Sequence, residues 1–121
     1  MTLTLPYPPS TNHAYAVRNG RKIKTTTARE YATEVAWRVA DHVRTGEQPP
    51  ETWGGTRLAA TLDVYPPDAR RRDLANLEKL ALDAVAAQLG FDDSQIDVLT
   101  LRRQAIDRTN PRIVLTLEAI A

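Results

Sequence analysis

Residues 58–90 read LAATLDVYPPDARRRDLANLEKLALDAVAAQLG, and the two halves of this stretch carry different periods. Leu58, Ala60, Leu62 and Val64 alternate with Ala59, Thr61, Asp63 and Tyr65. That is the period-2 pattern of a strand with one buried face. Pro66-Pro67 stops it, because proline cannot donate to the ladder. Beyond the arginines the period changes. Leu74, Leu77, Ala81, Ala84 and Val85 fall on one stripe of a helix. Asp73 suits its N-cap and Gly90 its C′ position, so the spacing predicts a helix from Asp73 to about Leu89.

The rest of the chain extends this pattern. Thr2 to Leu5 reads as a short strand, ended by the turn segment Pro6-Tyr7-Pro8-Pro9-Ser10. Ala14 to Arg18 and Arg21 to Thr25 flank Asn19-Gly20, a strong hairpin signal. Thr26 or Thr27 can cap a helix with Glu30 in its first turn, and Tyr31, Val35, Ala36, Val39 and Val43 then recur at helical spacing. Glu47 to Gly55 is a loop rich in Pro and Gly, expected to be the most mobile segment. Ile96 to Ile106 and Arg112 to Glu118 read as strands joined by a turn through Asn110-Pro111. The expectation is a single α+β domain over 1–121. It has a mixed β-sheet with an N-terminal β-hairpin and two main α-helices packed on it.

A chain of 121 residues can build a real core but lies near the small end, where an oligomer helps to bury surface. It holds no cysteine, so disulfides and thiolate zinc sites are excluded, and His13 and His42 are too few and too far apart for a zinc site. No apolar run reaches the length of a membrane span, and no signal-peptide pattern is visible. The expected location is cytoplasmic. Net charge is only +1, but its distribution is uneven. Between Met1 and Arg29 lie Arg18, Arg21, Lys22, Lys24 and Arg29, with no acidic residue. Arg70-Arg71-Arg72 forms a second basic group and Arg102-Arg103 a third. Arginine suits bidentate phosphate contacts, although scattered charge is also ordinary solvated surface.

The chemistry concentrates between Asp68 and Lys79. Three arginines precede a carboxylate at a helix start. On the helix, Asn76, Lys79 and Asp83 fall within an arc of about 60° at roughly 100° per residue, opposite the apolar stripe. Just past Gly90, Asp92 and Asp93 are adjacent. Carboxylates without Cys or His suit a hard cation such as Mg²⁺, which binds phosphate oxygens and activates water. Each feature also has a plain structural explanation. Asp73 can be an N-cap, Asp92-Asp93 an αβ turn, and Lys79 a solvated lysine paired with Asp83 at i+4.

At these residues the sequence resembles the RusA family of Holliday junction resolvases. Three blocks occur in the family's order: Leu5-Pro6-Tyr7-Pro8-Pro9-Ser10-Thr11-Asn12, Arg70-Arg71-Arg72-Asp73-Leu74-Ala75-Asn76-Leu77-Glu78-Lys79, and Asp92-Asp93-Ser94-Gln95-Ile96. With the intervening pattern, the resemblance covers nearly the whole chain. It implies a homodimeric, Mg²⁺-dependent endonuclease (Mn²⁺ being able to substitute) that nicks two opposed strands of four-way junction DNA. Carried over residue by residue, it implies Asp73, Lys79 and Asp93 as catalytic residues. Asp73 and Asp93, with Asp92 beside them, would hold the metal. The expected DNA contacts are Arg70, Arg71, Arg72, Asn76, Asn12 and the hairpin residues Arg21, Lys22 and Lys24.

One position departs from the family pattern. Ala75 stands where the motif carries a second aspartate, and alanine has no ligand atom. Three explanations are open: a natural alanine with Asp92 or Asn76 filling in, a natural junction binder of weak activity, or a deliberate inactivating substitution. Two rival readings follow. One is a protein that occupies branched DNA without cutting it. The other is a structural αβ module whose aspartates are only caps and turns.

Overall fold

The computed structural model describes residues 1–9, 15–18, 20–24, 26–46, 53 and 55–120, with 15–18 and 21–24 described as backbone only. The elements in chain order are β1 (Thr2–Pro6), β2 (Tyr15–Arg18), β3 (Arg21–Lys24), α1 (Thr26–Thr45), β4 (Leu58–Tyr65), α2 (Leu74–Leu89), a 3₁₀ turn (Asp93–Gln95), β5 (Ile96–Arg103) and β6 (Arg112–Ala119). This is the expected α+β class. The main sheet has the order β1-β6-β4-β5. β6 pairs antiparallel with β1 and with β4, whereas β4 and β5 are parallel. A parallel pair needs a crossover connection, and α2 is that crossover.

The alternation read in β4 is exact in burial: Leu58, Ala60, Leu62 and Val64 are buried and the residues between them half-buried. Leu3 and Leu5 of β1 and Ile113, Leu115 and Leu117 of β6 complete the buried face. Ala28, Tyr31, Val35 and Val39 of α1 and Leu77, Leu80, Ala81 and Val85 of α2 pack on it. Fully burying a Leu or Val stabilises by about 1.5–3 kcal/mol, so this layer is the principal source of stability. The opposite sheet face carries a row of threonines in register, Thr2, Thr116, Thr61 and Thr100, one from each strand.

α2 begins and ends as its sequence predicts. Asp73 has extended backbone geometry, and its carboxylate accepts from the Ala75 N–H at 3.0 Å. Gly90 has φ +75°, a left-handed conformation that glycine adopts without a Cβ clash, and its N–H reaches the Ala86 carbonyl at 2.9 Å.

Two boundaries differ from expectation, and the expected hairpin stands as a sheet of its own. Thr26 is already helical, so neither Thr26 nor Thr27 is described as a cap, and Glu30 lies beyond the first turn. β5 stops at Arg103 rather than Ile106. The Gln104 N–H still donates to the Val64 carbonyl at 2.8 Å and its side chain to Asp63 at 2.6 Å, and the Asp107 N–H reaches the Pro66 carbonyl at 2.8 Å, so the chain past Arg103 stays beside the end of β4 without strand geometry. The hairpin forms with the expected two-residue connection, but as its own two-stranded sheet. Most of the Glu47–Gly55 loop lies outside the described residues.

Candidate nuclease site

The first and second sequence blocks meet in space. Tyr7 and Pro8, just past β1, line a cleft of about 190 Å³ with Arg71, Arg72, Asp73, Asn76 and Leu77 at the start of α2. Helix starts leave backbone N–H groups without intrahelical partners, and the macrodipole there favours anions. The Tyr7 hydroxyl is buried without a hydrogen-bond partner among the described residues. Burial pushes its pKa up, against the opposing pull of Arg72.

The three arginines have different tasks. Arg72 is largely spent on structure. Its guanidinium pairs with Asp68 at 2.7 Å and lies over the Tyr7 ring, 5.7 Å from the centroid. Its carbonyl accepts from Arg103 at 2.6 Å. The Arg72 hydrogen bond, followed by the Arg70 N–H, lowers the Asp68 pKa to about 2. Arg70 and Arg71 are exposed, with the Arg70 side chain 84% accessible. They are the cations of this group that face solvent.

Lys79 lies on the exposed side of α2, 3.3 Å from Asp83, the expected i+4 pair. Asn76 is exposed one turn before it. Ala75 is exposed at the second residue of α2, beside the cap.

The third block is a capped turn. Asp92 accepts from the Ser94 N–H at 2.9 Å, while the Gln95 side-chain oxygen accepts from the Asp92 N–H at 2.9 Å. Gln95 also donates to the Trp53 and Thr56 carbonyls at 2.6 and 2.8 Å, which pins the approach to β4. The Ser94 N–H, then a hydrogen bond shared with Asp93, holds the Asp92 carboxyl below the usual carboxylate range. Asp92 is therefore occupied as a cap, and Asp93 is exposed beside it.

The structure does not bring Asp73 and Asp93 together within one protomer. Arg103, at the far end of β5, contacts Arg72, whereas Arg57, ahead of β4, contacts the Ser94 carbonyl at 2.9 Å. Because β4 and β5 are parallel, these contacts mark opposite ends of the sheet. α2 spans them with 16 residues, a length of about 24 Å. Among the described residues, no group of three or more His, Cys, Asp or Glu side chains is placed to hold a metal ion. The donor chemistry still fits a hard cation: carboxylate oxygens with no thiolate or imidazole among them. Asn12 and the side chains of Arg21, Lys22 and Lys24 lie outside the described residues.

The sequence profile of the family described as endodeoxyribonuclease RusA matches residues 6–118. The chain belongs to the RusA family. The crossover junction endodeoxyribonuclease RusA of Escherichia coli K12 is 33% identical over 96 residues, 78% of this chain and 75% of that protein. Its counterpart from Shigella sonnei is 32% identical over 96 residues, again 78% of this chain and 75% of the relative. The protein of the same name from Enterobacteria phage 82 is 32% identical over 95 residues, covering 78% and 74%. Among the described residues, no helix of this RusA-family chain is long and apolar enough to cross a membrane.

Glu78 is a carboxylate near these groups that the sequence reading did not single out. It is half-buried on α2, one turn beyond Ala75. Burial, then the charges of Asp83 and Asp93, raises its pKa. The available signal was a carboxylate three residues past the aspartate-to-alanine departure.

Proposed function

We propose that this protein is a structure-specific endodeoxyribonuclease that resolves four-way DNA junctions by paired nicks, acting as a Mg²⁺-dependent homodimer. The observation that carries this reading is the cleft at the start of α2. There the first and second family blocks converge on exposed arginines and a capping carboxylate, in a chain that matches the family over 6–118.

Phosphate contacts supply affinity and junction shape supplies selectivity. Arg70 and Arg71 are placed to take phosphates beside the α2 N-terminus. Asn76 continues that polar face. The Lys79–Asp83 pair is an exposed i,i+4 pair worth only about 0.3–0.5 kcal/mol, so the Asp83 contact itself holds Lys79 weakly.

The separation of Asp73 from Asp93 argues for a site shared between protomers. β5 is a sheet edge, and Val98 and Leu99 on it are 52% and 45% exposed. Exposed apolar edge strands are templates for pairing. Antiparallel pairing of two β5 strands about a two-fold axis sets the Ile96 end of one against the Arg103 end of the other. Asp73 of one protomer then approaches Asp93 of the partner subunit. Such a dimer has two equivalent sites, matching the two-fold symmetry of a junction. When bound, Mg²⁺ supplies charge neutralisation at the phosphate and lowers the pKa of the attacking water. Asp73 and Asp93 of the partner subunit would hold it, and Lys79 would stabilise charge developing on the phosphoryl oxygens.

Ala75 supports a second reading, in which the protein occupies junctions but cuts them poorly. One assay separates the possibilities: binding of a four-way junction and of duplex at moderate salt, then cleavage with Mg²⁺ or Mn²⁺, for this chain and for Ala75→Asp. Junction-selective binding with paired nicks by the unaltered chain supports the nuclease, and nicks by Ala75→Asp alone support the second reading. Selective binding with no nicking in either leaves only the binder. No preference for junction over duplex removes both and favours a structural module.

A further inference from the structure

We propose that Arg103 and Arg108 extend the DNA-binding surface from the start of α2 across the adjoining end of the sheet, where they take backbone phosphates of a junction arm. This rests on the junction-binding reading above and adds two residues from outside the three family blocks.

Backbone contacts bring two separate segments together here. Past β5, the Gln104 N–H donates to the Val64 carbonyl and the Asp107 N–H to the Pro66 carbonyl, both at 2.8 Å. The segment 104–110 therefore runs beside the segment 66–72 that carries Arg70 and Arg71. The Arg103 guanidinium donates to the Arg72 carbonyl at 2.6 Å, which sets it next to the Asp73 cap. Tyr7, in the wall of the α2 cleft, lies within range of the Arg103 charge. Arg108 follows Asp107 directly and is exposed.

The charges at this end do not cancel at the surface. Arg102 takes Asp63 through bonds of 2.7 and 3.0 Å, Arg72 takes Asp68 at 2.7 Å, and Arg112 takes Asp107 at 2.8 Å. Arg70, Arg71, Arg103 and Arg108 remain, all exposed. Arg70 reaches Asp68 only at 4.0 Å. Among the described residues, Arg71, Arg103 and Arg108 have no carboxylate partner. A guanidinium has five N–H donors in a planar fork, so Arg103 keeps most of them for phosphate oxygens. Duplex DNA carries a charge about every 1.7 Å along its axis, so such a surface meets several phosphates at once. It is continuous with the cleft at the start of α2, which makes its occupant the DNA arm that enters there.

The test measures four-way junction binding in EDTA by fluorescence anisotropy, from about 50 to 200 mM salt. The proteins are the unaltered chain, Arg71→Gln, Arg103→Gln, Arg103→Lys, Arg108→Gln and Arg44→Gln. Arg44 is the charge control, exposed and beside Gln88 and Leu89 at the other end of α2. Arg103→Gln and Arg108→Gln are each expected to lower the slope of log affinity against log salt by about 1, equally for junctions of different sequence. Arg103→Lys should keep the slope, and Arg44→Gln should leave it unchanged. Arg108→Gln removes no side-chain contact among the described residues, so it carries the test even where Arg103→Gln loosens the hold on Arg72. A slope unaltered in both glutamine variants overturns the extension. If Arg71→Gln still lowers it, the junction-binding reading stands. An equal fall in Arg44→Gln also overturns the extension, because net charge alone then accounts for the effect. An unaltered chain that binds no junction removes the reading and the extension together.

Discussion

Asp73 caps the start of α2 and Asp93 opens the turn beyond its end, so one protomer holds these two carboxylates apart by a helix of 16 residues. Both stand at family-motif positions, and between them α2 runs from one end of the parallel β4–β5 pair to the other. The predictions follow from that separation and from the contacts at each end.

Asp73 is a helix cap, and the proposed function gives it a second task, which two substitutions separate. Asparagine is as good an N-cap as aspartate, whereas alanine loses the bond to the Ala75 N–H. Asp73→Ala should cost about 1 kcal/mol by thermal or urea unfolding, while Asp73→Asn costs at most a few tenths. Junction nicking with Mg²⁺ should be lost in both. Nicking that survives in Asp73→Asn would make the residue a cap alone.

Leu99→Lys addresses the sheet edge. Leu99 is 45% exposed, so a lysine there can reach water and should change protomer stability by less than about 0.5 kcal/mol. A charge on an edge strand opposes strand pairing. Sedimentation should show the dimer shifted toward monomer, with paired nicking falling in parallel. A dimer unaffected by Leu99→Lys would place the interface elsewhere.

The Asp68–Arg72 pair sets a pH dependence. Asp68 titrates at about 2 in the folded protein, against an ordinary value of 3.8, chiefly because Arg72 hydrogen-bonds to its carboxylate. A depressed folded pKa contributes stability that is present above the unfolded value and lost as pH falls through the folded one. The melting-temperature gap between the unaltered protein and Asp68→Asn should therefore be constant above about pH 5 and close as pH falls from about 4 to 2. A gap independent of pH would show that Asp68 does not act through its charge.

Asp83→Asn tests whether the Lys79 pair is incidental. The pair is exposed, so stability should fall by no more than about 0.5 kcal/mol, and junction nicking should persist. Lys79→Met should abolish nicking while leaving the fold intact. Equal loss in both variants would mean that Asp83 positions Lys79.

Much of this fold is legible along the chain because its signals are local. Asp73 and Gly90 bound α2, and the alternation through β4 names its buried face residue by residue. Sheet order is not local. Nothing near β6 shows that it inserts between β1 and β4, or that β5 is left as an edge. The segment past β5 is tied to β4 by Gln104 and Asp63, 41 residues apart in sequence. The site divides in the same way. The cap, the i+4 pair and the acidic turn can be read from spacing. The convergence of Tyr7 with Arg72, and the distance between Asp73 and Asp93, emerge only when the strands are paired.

The most direct measurement is complementation between two inactive dimers, made in whichever background nicks junctions, Ala75 or Ala75→Asp. Asp73→Asn and Asp93→Asn homodimers are each predicted to be inactive. A mixed dimer has one site with both carboxylates lost and one site intact, if each site draws Asp73 and Asp93 from different protomers. Mixing the two proteins should then restore nicking of one junction strand, without the paired second cut. A mixed dimer as inactive as its parents would contradict a site shared between protomers.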